Sequence, residues 1–442
     1  MNEVPEPKLY ADFDWRQGWR YGLMGLPLAF VALPLYVQLP NYYAKEFGMP
    51  LATLGAVLLG ARLFDAFSDP VIGRWSDRLY AQSTRQVLVW AAAAAALLAL
   101  GFGLLFFPPA AVQNHLVAWA TLTLLLTYLG YSGISVLHQS WGAMLGGDDS
   151  QRSRVVAWRE GLGLVGVVLA SITPVVLGLP AMATMLLIAL AFGWWAWSSA
   201  RAPHLHPVNP AGNPAKPSTP AALAWSSGKP TSVWLPFSRP EFRALLAVFM
   251  VNGIASAVPA TLILFFVQDR LQAPASSQAL FLGSYFVSAA LAIPGWLAVV
   301  KRLGLARTWG IGMLLSIATF VFASGLGAGD VNGFLAVCVL SGIALGTDLT
   351  LPGAMLAGTI AANGDQGRAE GAYFGWWNFA TKLNLALAAG VALPLLSWLG
   401  YTPGAREPAA LQTLTWAYCL LPCALKLSAA TLLYTLFLRK PL

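Results

Sequence analysis

Residues 62–78 read RLFDAFSDPVIGRWSDR, and this stretch places charged side chains inside an otherwise apolar run. At 100° per residue of an α-helix, Arg62, Asp65 and Asp69 lie within about 60° of one another, so they form one polar stripe. Insertion scales assign about 2.5–3.5 kcal/mol to each charged residue at the centre of a bilayer. Inside a membrane helix, a stripe of this kind indicates a functional site.

The composition around this stretch is that of a membrane protein. Hydrophobic residues make up 57% of the 442 residues and charged residues only 10%, and the mean hydropathy is +0.65. Soluble domains carry about 25% charged residues, and disordered chains are hydrophilic and rich in charge. Both classes are therefore excluded.

Twelve apolar runs are long enough to cross a bilayer, which takes about 20 residues at about 1.5 Å each. The predicted spans are residues 18–43, 50–73, 86–107, 114–142, 154–178, 180–199, 241–267, 275–299, 305–326, 331–359, 369–397 and 410–438. We therefore predict an all-α polytopic membrane protein, with twelve transmembrane helices in two six-helix bundles.

The 26 lysines and arginines indicate the orientation of the spans, because cytoplasmic loops carry an excess of them. With the N-terminus in the cytoplasm, all but six lie in inside segments. The exceptions are Lys45, Arg270 and Arg406 outside, and Arg62, Lys382 and Lys426 within spans. We predict a multi-pass protein of the cell inner membrane with both termini cytoplasmic. The net charge of +8 then reflects topology, and no nucleic-acid partner is expected.

The longest segment between spans is rich in Pro, Ala and Ser, a composition typical of a flexible linker. It divides the spans six and six, which is the plan of the major facilitator transporters. The predicted domains are an N-terminal bundle at 1–199, a cytoplasmic linker at 200–240 and a C-terminal bundle at 241–442.

The two carboxylates of the stripe lie one helical turn apart, which suits two kinds of cation chemistry. Asp65 and Asp69 can supply several oxygen ligands to a small hard cation such as Na⁺. They can also share a proton, because like charges disfavour the doubly ionised pair. The alternative is a structural ion pair with Arg62 or Lys382.

Three segments together resemble the glycoside–pentoside–hexuronide:cation symporter family, the melibiose-permease branch of the major facilitator superfamily. The first is Arg-x-x-Asp-x-x-x-Asp-Pro-x-x-Gly-x-x-x-Asp-Arg at 62–78, preceded by Asn-Tyr-Tyr at 41–43. The second is the acidic and basic loop of residues 147–159, and the third is Arg-x-Glu-Gly…Lys at 368–382. The resemblance spans both halves and implies a cation-coupled symporter with the major facilitator fold.

Site residues follow from this resemblance position by position. The resemblance implies that Asp65 and Asp69 are the cation-site carboxylates and a candidate Na⁺ site, with Ser68 and Ser132 as hydroxyl ligands in place of an Asn and a Thr. The same resemblance places Arg159 and Lys382 in the substrate cavity and aligns Ser135 and Gln139 with substrate-binding positions. From their own positions within the spans, Asn378 and Trp377 beside Lys382, and His138 beside Gln139, are further candidates for the cavity.

The predicted cavity differs from that of the sugar permease. Pro27 and Ser135 stand where the permease has carboxylates, and Gln139 stands in place of a stacking Trp. Three roles are open for His138: it relays protons, forms a hydrogen bond with the substrate, or packs in the core as a structural residue. Arg159 faces the central cavity or lies extended toward the cytoplasm.

Gating is expected of Arg62, Asp77 and Arg78. The segment 73–78 resembles the signature loop of the superfamily, in which the acid caps the next helix and pairs toward the fifth span. Two further charges lie within spans: Asp348 is a candidate buried acid, and Lys426 is expected to reach the interface or to form a structural pair.

The predicted function is a secondary symporter, coupled to Na⁺ or H⁺, that moves a small sugar- or glycoside-like solute by alternating access. The alternatives are a transporter of lysolipid or another amphiphile, and a non-transporting receptor or assembly factor. Its partners are the solute, the cation and the lipid bilayer, and it is expected to be a monomer without a cofactor. An enzyme is not expected, because the chain's four histidines form no catalytic cluster with acids. The solute, the ion and the direction of transport stay open.

Overall fold

The structure is a computed structural model that describes residues 13–203, 232–274 and 277–439. Most of the predicted linker at 200–240 lies outside these residues, as do the two predicted cytoplasmic ends of the chain. Within the described ranges, the regular secondary structure is helical throughout. The prediction of an all-α chain is confirmed.

The part of the chain before the predicted linker forms eight helices. They are α1 (Trp15–Gly22), α2 (Gly25–Leu33), α3 (Leu39–Glu46), α4 (Leu51–Tyr80), α5 (Thr84–Phe106), α6 (Leu116–Met144), α7 (Asp149–Val176) and α8 (Gly178–Ser198). Their starts follow ordinary capping rules. The side chain of Ser83 accepts from the N–H of Gln86 before α5, and Asp148 accepts from Gln151 before α7.

The part after the linker forms seven α-helices. They are α9 (Pro240–Phe265), α10 (Ser277–Leu303), α11 (Leu305–Ala323), α12 (Val331–Ala362), α13 (Glu370–Trp398), α14 (Pro408–Thr415) and α15 (Leu421–Leu433).

The fifteen α-helices overlap the twelve predicted spans in chain order, with α1 to α3 in the first span and α14 and α15 in the last. Among the described residues, nine helices are long and apolar enough to cross a bilayer, and the bent set Trp15–Tyr36 with Leu39–Glu46 supplies a tenth. Helices α4, of 30 residues, and α13, of 29 residues, also exceed the length that a span requires. These two carry the charged motifs of the sequence.

The first and last spans each contain a π-helical turn, which the sequence analysis did not predict. A π-helical turn, Pro34–Gln38, separates α2 from α3, and another, Trp416–Leu420, separates α14 from α15 just before Pro422. A proline inside a helix lacks the N–H that would bond to the carbonyl four residues earlier, so the helix adjusts around it.

Contacts group the described residues into two compact units. Unit 1 contains the chain up to Arg239 together with Leu356–Asn378, and unit 2 contains Pro240–Met355 and Phe379 onward. One border between the units lies at Arg239 and Pro240. The predicted second half also contributes the end of α12 and the start of α13 to unit 1.

In unit 1, α2 packs on α7, and α4 and α5 pack on α6. Glycines allow α2 and α7 to approach closely. A Cβ added at Gly25 would clash with the carbonyl oxygen of Arg159, and one at Gly166 would clash with that of Leu26. This packing fixes where Arg159 enters the interior of the unit.

In unit 2, α15 packs against α9 and α11. Aromatic side chains fill the core at one end, where Phe266 stacks on Tyr418 with ring centroids 4.2 Å apart. At the same end, the carboxylate of Asp269 accepts from the hydroxyl of Tyr401 and pairs with Arg406 at 3.1 Å. These bonds order the turn between α13 and α14.

Candidate functional site

The charged stripe lies in the interior of α4. Asp65 is 4% exposed and Asp69 is fully buried. The hydroxyl of Ser132 on α6 donates to Oδ1 of Asp65 at 2.7 Å, a short hydrogen bond to a carboxylate. The structure therefore brings together two of the four predicted cation ligands, which are 67 residues apart in the chain.

The other two predicted ligands lie on α4 itself. Ser68 donates its hydroxyl to the backbone carbonyl of Asp65 at 2.9 Å, a bond within its own helix. Asp69 precedes Pro70, whose missing N–H leaves the carbonyl of Ala66 without its usual helical donor. Carboxylate, hydroxyl and carbonyl oxygens thus occur within about one turn of α4.

A cavity of about 110 Å³ lies in unit 1, where α6 and α7 face α2. Its polar lining consists of Tyr131, Ser135, His138 and Gln139 from α6 and Arg159 and Glu160 from α7. Gly25, Leu28 and Ala29 of α2 close the remaining side. Four of the predicted substrate-cavity residues therefore share one cavity.

Arg159 lines this cavity from α7. Its Nε donates to Oε1 of Glu160 at 2.9 Å, and both side chains are largely buried. Glu160 is the residue that the sequence analysis missed. The adjacent Arg159–Glu160 pair within a predicted span was a signal, because two charges there are costly unless they are paired.

Gln139 and Ser135 face one another in the cavity. Nε2 of Gln139 donates to the hydroxyl of Ser135 at 3.3 Å, while its Oε1 is buried without a hydrogen-bond partner among the described residues. An acceptor in this state suits a ligand that donates a hydrogen bond.

His138 is held mainly by packing. Its ring stacks on Tyr21 with centroids 4.2 Å apart and meets the edge of Trp197 at 4.9 Å. Nε2 lies 2.8 Å from the carbonyl oxygen of Tyr21, so a proton on Nε2 satisfies that contact and leaves Nδ1 as an acceptor. His138 thus lines the cavity with a ring held in place by packing, and its Nδ1 is an acceptor.

Tyr131 connects the cavity with the charged stripe. Its hydroxyl is within electrostatic range of the carboxylates of Asp65, Asp69 and Glu160. Ser132, the partner of Asp65, is the next residue along α6. Through Ser132, the charged stripe is therefore bonded to the residue of α6 that follows Tyr131 of the cavity lining.

The three predicted gating residues occupy different environments. The guanidinium of Arg62 lies 4.0 Å from the centre of the Tyr36 ring, a cation–π contact. Arg78 is exposed at the end of α4. Asp77 is 8% exposed, and its carboxylate accepts from the backbone N–H groups of two residues of α13.

The contact of Asp77 corrects the expectation for the signature loop. Its oxygens lie 2.6 Å from the nitrogen of Gly371 and 3.0 Å from that of Ala372, whereas the next helix is capped by Ser83. The first N–H groups of a helix have no partner within the helix, and its N-terminus attracts negative charge. The start of α13 is therefore the favourable partner for Asp77.

Replacing Asp77 with Asn is expected to loosen this contact, because an amide offers one acceptor where the carboxylate offers two. A hydrogen bond to a charged group contributes about 1.5–3 kcal/mol. We expect amide hydrogen exchange in a peptide covering residues 367–373 to become about 10- to 100-fold faster. Asp148→Asn, which alters the cap of α7, is the control, and equal exchange in wild type and Asp77→Asn would contradict the assignment.

The remaining predicted cavity residues lie on α13, which the two units divide. Trp377 and Asn378 are buried in unit 1, and Lys382 is half-buried in unit 2. Among the described residues, these three are not part of the lining of the cavity between α6 and α7. Their role in substrate binding stays a prediction.

A second polar cluster lies inside unit 2. Nζ of Lys426 is 2.9 Å from both Oδ2 of Asp348 and Oδ1 of Asn252. Asp348 also accepts from Nε1 of Trp309 at 2.8 Å and from Ser256 at 3.2 Å. The expectation of a structural pair for Lys426 agrees with this geometry, which joins α9, α11, α12 and α15.

Comparison with known proteins gives a family over nearly the whole chain. The family described as MFS/sugar transport protein matches residues 20–440. An Escherichia coli (strain K12) protein, YagG, provisionally named a glycoside/cation symporter, is 26% identical over 33% of this chain and 32% of its own length. The chain thus spans about a third of that curated relative.

Two relatives match over most of the chain. A Salmonella typhimurium (strain LT2) protein provisionally named a sulfoquinovose importer is 25% identical over 89% of this chain and 83% of its own length. The mouse sphingosine-1-phosphate transporter MFSD2B is 22% identical over 88% of this chain and 82% of its own length.

The fold is similar to that of solved transporters. A crystal structure of a bacterial homologue of the iron transporter ferroportin, in an outward-facing state, superposes with a TM-score of 0.68. The superposition covers 96% of this chain and 99% of the other at 16% sequence identity. At this identity the likeness shows the fold alone, and it confirms the predicted fold class.

Proposed function

Because the chain belongs to the MFS/sugar transport protein family, whose members are transporters and not enzymes, we propose that it is a cation-coupled symporter for a small solute. The observation that carries the proposal is the hydrogen bond from Ser132 to the buried carboxylate of Asp65. It joins two helices at a charged group inside a predicted membrane span.

The cation is proposed to bind at Asp65 and Asp69. A carboxylate at this depth is costly unless a proton, a metal cation or a basic side chain neutralises it. The hydroxyl of Ser132 donates its proton to Asp65, and its oxygen keeps lone pairs for a hard cation such as Na⁺. The same carboxylates would serve H⁺ coupling by taking up a proton.

The solute is proposed to bind in the cavity between α6 and α7. Arg159 offers donors, Glu160 offers an acceptor, and the pair of Ser135 and Gln139 offers both. A hydroxyl group also donates and accepts, so a sugar- or glycoside-like solute matches this lining. Its volume of about 110 Å³ is below the 300–1,000 Å³ of drug-sized pockets, which favours a small polar group at this position.

Transport is proposed to follow alternating access, with residues 1–199 and 241–442 as the two moving halves and 200–240 as their linker. Binding of the cation at α4 changes the charge beside Tyr131, and this change favours binding of the solute in the cavity.

Lys382 is proposed as a basic residue that competes with the cation. We further propose an inner-membrane monomer with both termini in the cytoplasm.

An amphiphile such as a lysolipid is the second candidate solute. Pro27 and Ser135 stand where the sugar permease has carboxylates, so the hydrogen bonds that those carboxylates accept from sugar hydroxyls are missing. The match to a sphingosine-1-phosphate transporter also favours an amphiphile as the solute. Competition for uptake by glycosides and by lysolipids separates the two candidates.

Ser132→Ala is expected to weaken cation binding about 10- to 100-fold, because a hydrogen bond to a charged group contributes about 1.5–3 kcal/mol. The apparent affinity is read from the thermal unfolding midpoint of the purified protein, titrated with Na⁺ and separately with H⁺. Ser140→Ala, which alters a buried serine of the same helix, is the matched control. Wild-type affinity for both cations in Ser132→Ala would refute this ligand, and a full cation response in Asp65→Asn would refute the site.

A further inference from the structure

A second cavity lies beside the last turns of α4, and its two arginines are on the side of the helix opposite Asp65. It has a volume of about 450 Å³ and is lined by Val71, Ile72, Arg74, Trp75 and Arg78. All five residues belong to the last turns of α4, and none is acidic. The cavity therefore combines two guanidinium groups with apolar walls.

The position of the two arginines follows from the helical repeat. Arg74 and Arg78 are one turn apart, and they lie about 180° and 220° around the helix axis from Asp65. The same side of α4 carries exposed apolar residues nearer the middle of the span. Leu63 is 47%, Phe64 44% and Val71 68% exposed.

We propose that this cavity binds the headgroup of an anionic phospholipid. The paired guanidinium groups match a phosphate, which arginine binds through two parallel hydrogen bonds. The exposed apolar side chains then lie where an acyl chain would run toward the bilayer centre. Nothing in this assignment depends on the solute or on the coupling ion.

Two further observations point to a ligand here. The Nε of Arg74 is buried without a hydrogen-bond partner among the described residues, a state that calls for an acceptor. The ring of Trp75 is fixed against Trp90, edge to face at 5.1 Å, so the apolar wall is rigid. Tryptophan is also the residue that prefers the headgroup level of a membrane.

The orientation predicted from the loops agrees with an anionic lipid. The distribution of lysine and arginine predicts that α4 ends on the cytoplasmic side. That leaflet carries a negative surface potential from anionic lipids, which attracts basic residues close to the membrane. A site of two arginines is therefore placed where its ligand is abundant.

The test compares lipid binding by the full-length protein and two double variants. Phosphatidylglycerol, phosphatidylcholine and inorganic phosphate are titrated separately, with the thermal unfolding midpoint and native mass spectrometry as readouts. The double variant Arg74→Gln/Arg78→Gln is expected to bind phosphatidylglycerol about 30-fold more weakly than wild type. The second variant, Arg74→Lys/Arg78→Lys, keeps the charge and is expected to recover part of the affinity. The exposed Arg85 supplies the control, since Arg85→Gln removes a nearby charge outside the cavity.

The result expected is preferential binding of phosphatidylglycerol by wild type and Arg85→Gln, lost in the double glutamine variant. Equal binding by wild type and that variant would overturn the proposal, as would an equal loss in Arg85→Gln. If inorganic phosphate binds as tightly as the lipid, the site takes free phosphate and the lipid assignment is wrong. A protein that transports no solute but still binds phosphatidylglycerol would contradict the proposed transport function and support the lipid site.

Discussion

Asp65→Asn is expected to reduce cation-driven uptake of solute into proteoliposomes by at least about 100-fold. Two unit charges 4 Å apart interact by about 4 kcal/mol at an effective dielectric constant of 20, and every 1.4 kcal/mol is a factor of ten in binding. The neutral amide cannot replace that attraction for Na⁺ and cannot take up the coupling proton. Asp69→Asn is expected to behave in the same way.

Exchange of solute across the membrane without a gradient separates loss of coupling from loss of folding. Both variants are expected to retain this exchange, because the cavity between α6 and α7 is intact. Asp149→Asn is the matched control, since its carboxylate is 53% exposed and 3.6 Å from Arg152. Uptake by Asp65→Asn at the wild-type rate under the same gradient would exclude Asp65 from coupling.

Lys426→Met is expected to lower the free energy of unfolding by about 3–5 kcal/mol. The side chain of Lys426 is 4% exposed and that of Asp348 15% exposed, so removing Lys426 leaves a largely buried carboxylate without its cation. The remaining donors, Asn252, Ser256 and Trp309, compensate only part of the charge. The measurement is the unfolding midpoint in detergent, followed by far-ultraviolet circular dichroism.

The double variant Lys426→Met/Asp348→Asn separates two effects: the cost of leaving one buried charge unpaired and the cost of losing the ion pair as a whole. Removing both charges of a buried pair is often close to neutral, whereas removing one is strongly destabilising. The double variant is therefore expected to recover most of the lost stability. If it is no more stable than Lys426→Met, or if Lys426→Met itself costs less than about 1 kcal/mol, the pair does not hold these helices together.

The helical repeat was enough to predict which side chains of α4 share a face. The spacing of Arg62, Asp65 and Asp69 fixes their relative directions, whatever the helix packs against. The apolar runs likewise predicted the spans, because a minimum length in the bilayer leaves few alternatives. Both predictions depend only on properties that repeat locally along the chain.

Contacts between distant helices could not be predicted in this way. The bond between Ser132 and Asp65 was expected only through a family resemblance, since spacing within one helix says nothing about its neighbour. Glu160 was overlooked because its charge is visible in the sequence but its cavity is not. The start of α13 was missed as the partner of Asp77, because its donors are backbone N–H groups that carry no sequence signature.

Local breaks in the helices were also missed. Pro34 and Pro422 lie at or beside the π-helical turns, yet Pro70 and Pro259 lie within continuous helices. A proline removes one hydrogen bond in each case. Whether the helix then bends or changes its winding depends on packing around it, which the sequence does not display.

Coupling is tested most directly by the steady-state accumulation of solute under imposed gradients of Na⁺ or H⁺ in proteoliposomes. Glycosides, uronates and lysolipids serve as the solute panel, and an ionophore dissipates each gradient in turn. For one solute and one cation, we expect the ratio of internal to external solute to rise with the imposed gradient and to return to one with the ionophore. A transported solute whose ratio stays at one under both gradients would contradict cation-coupled symport.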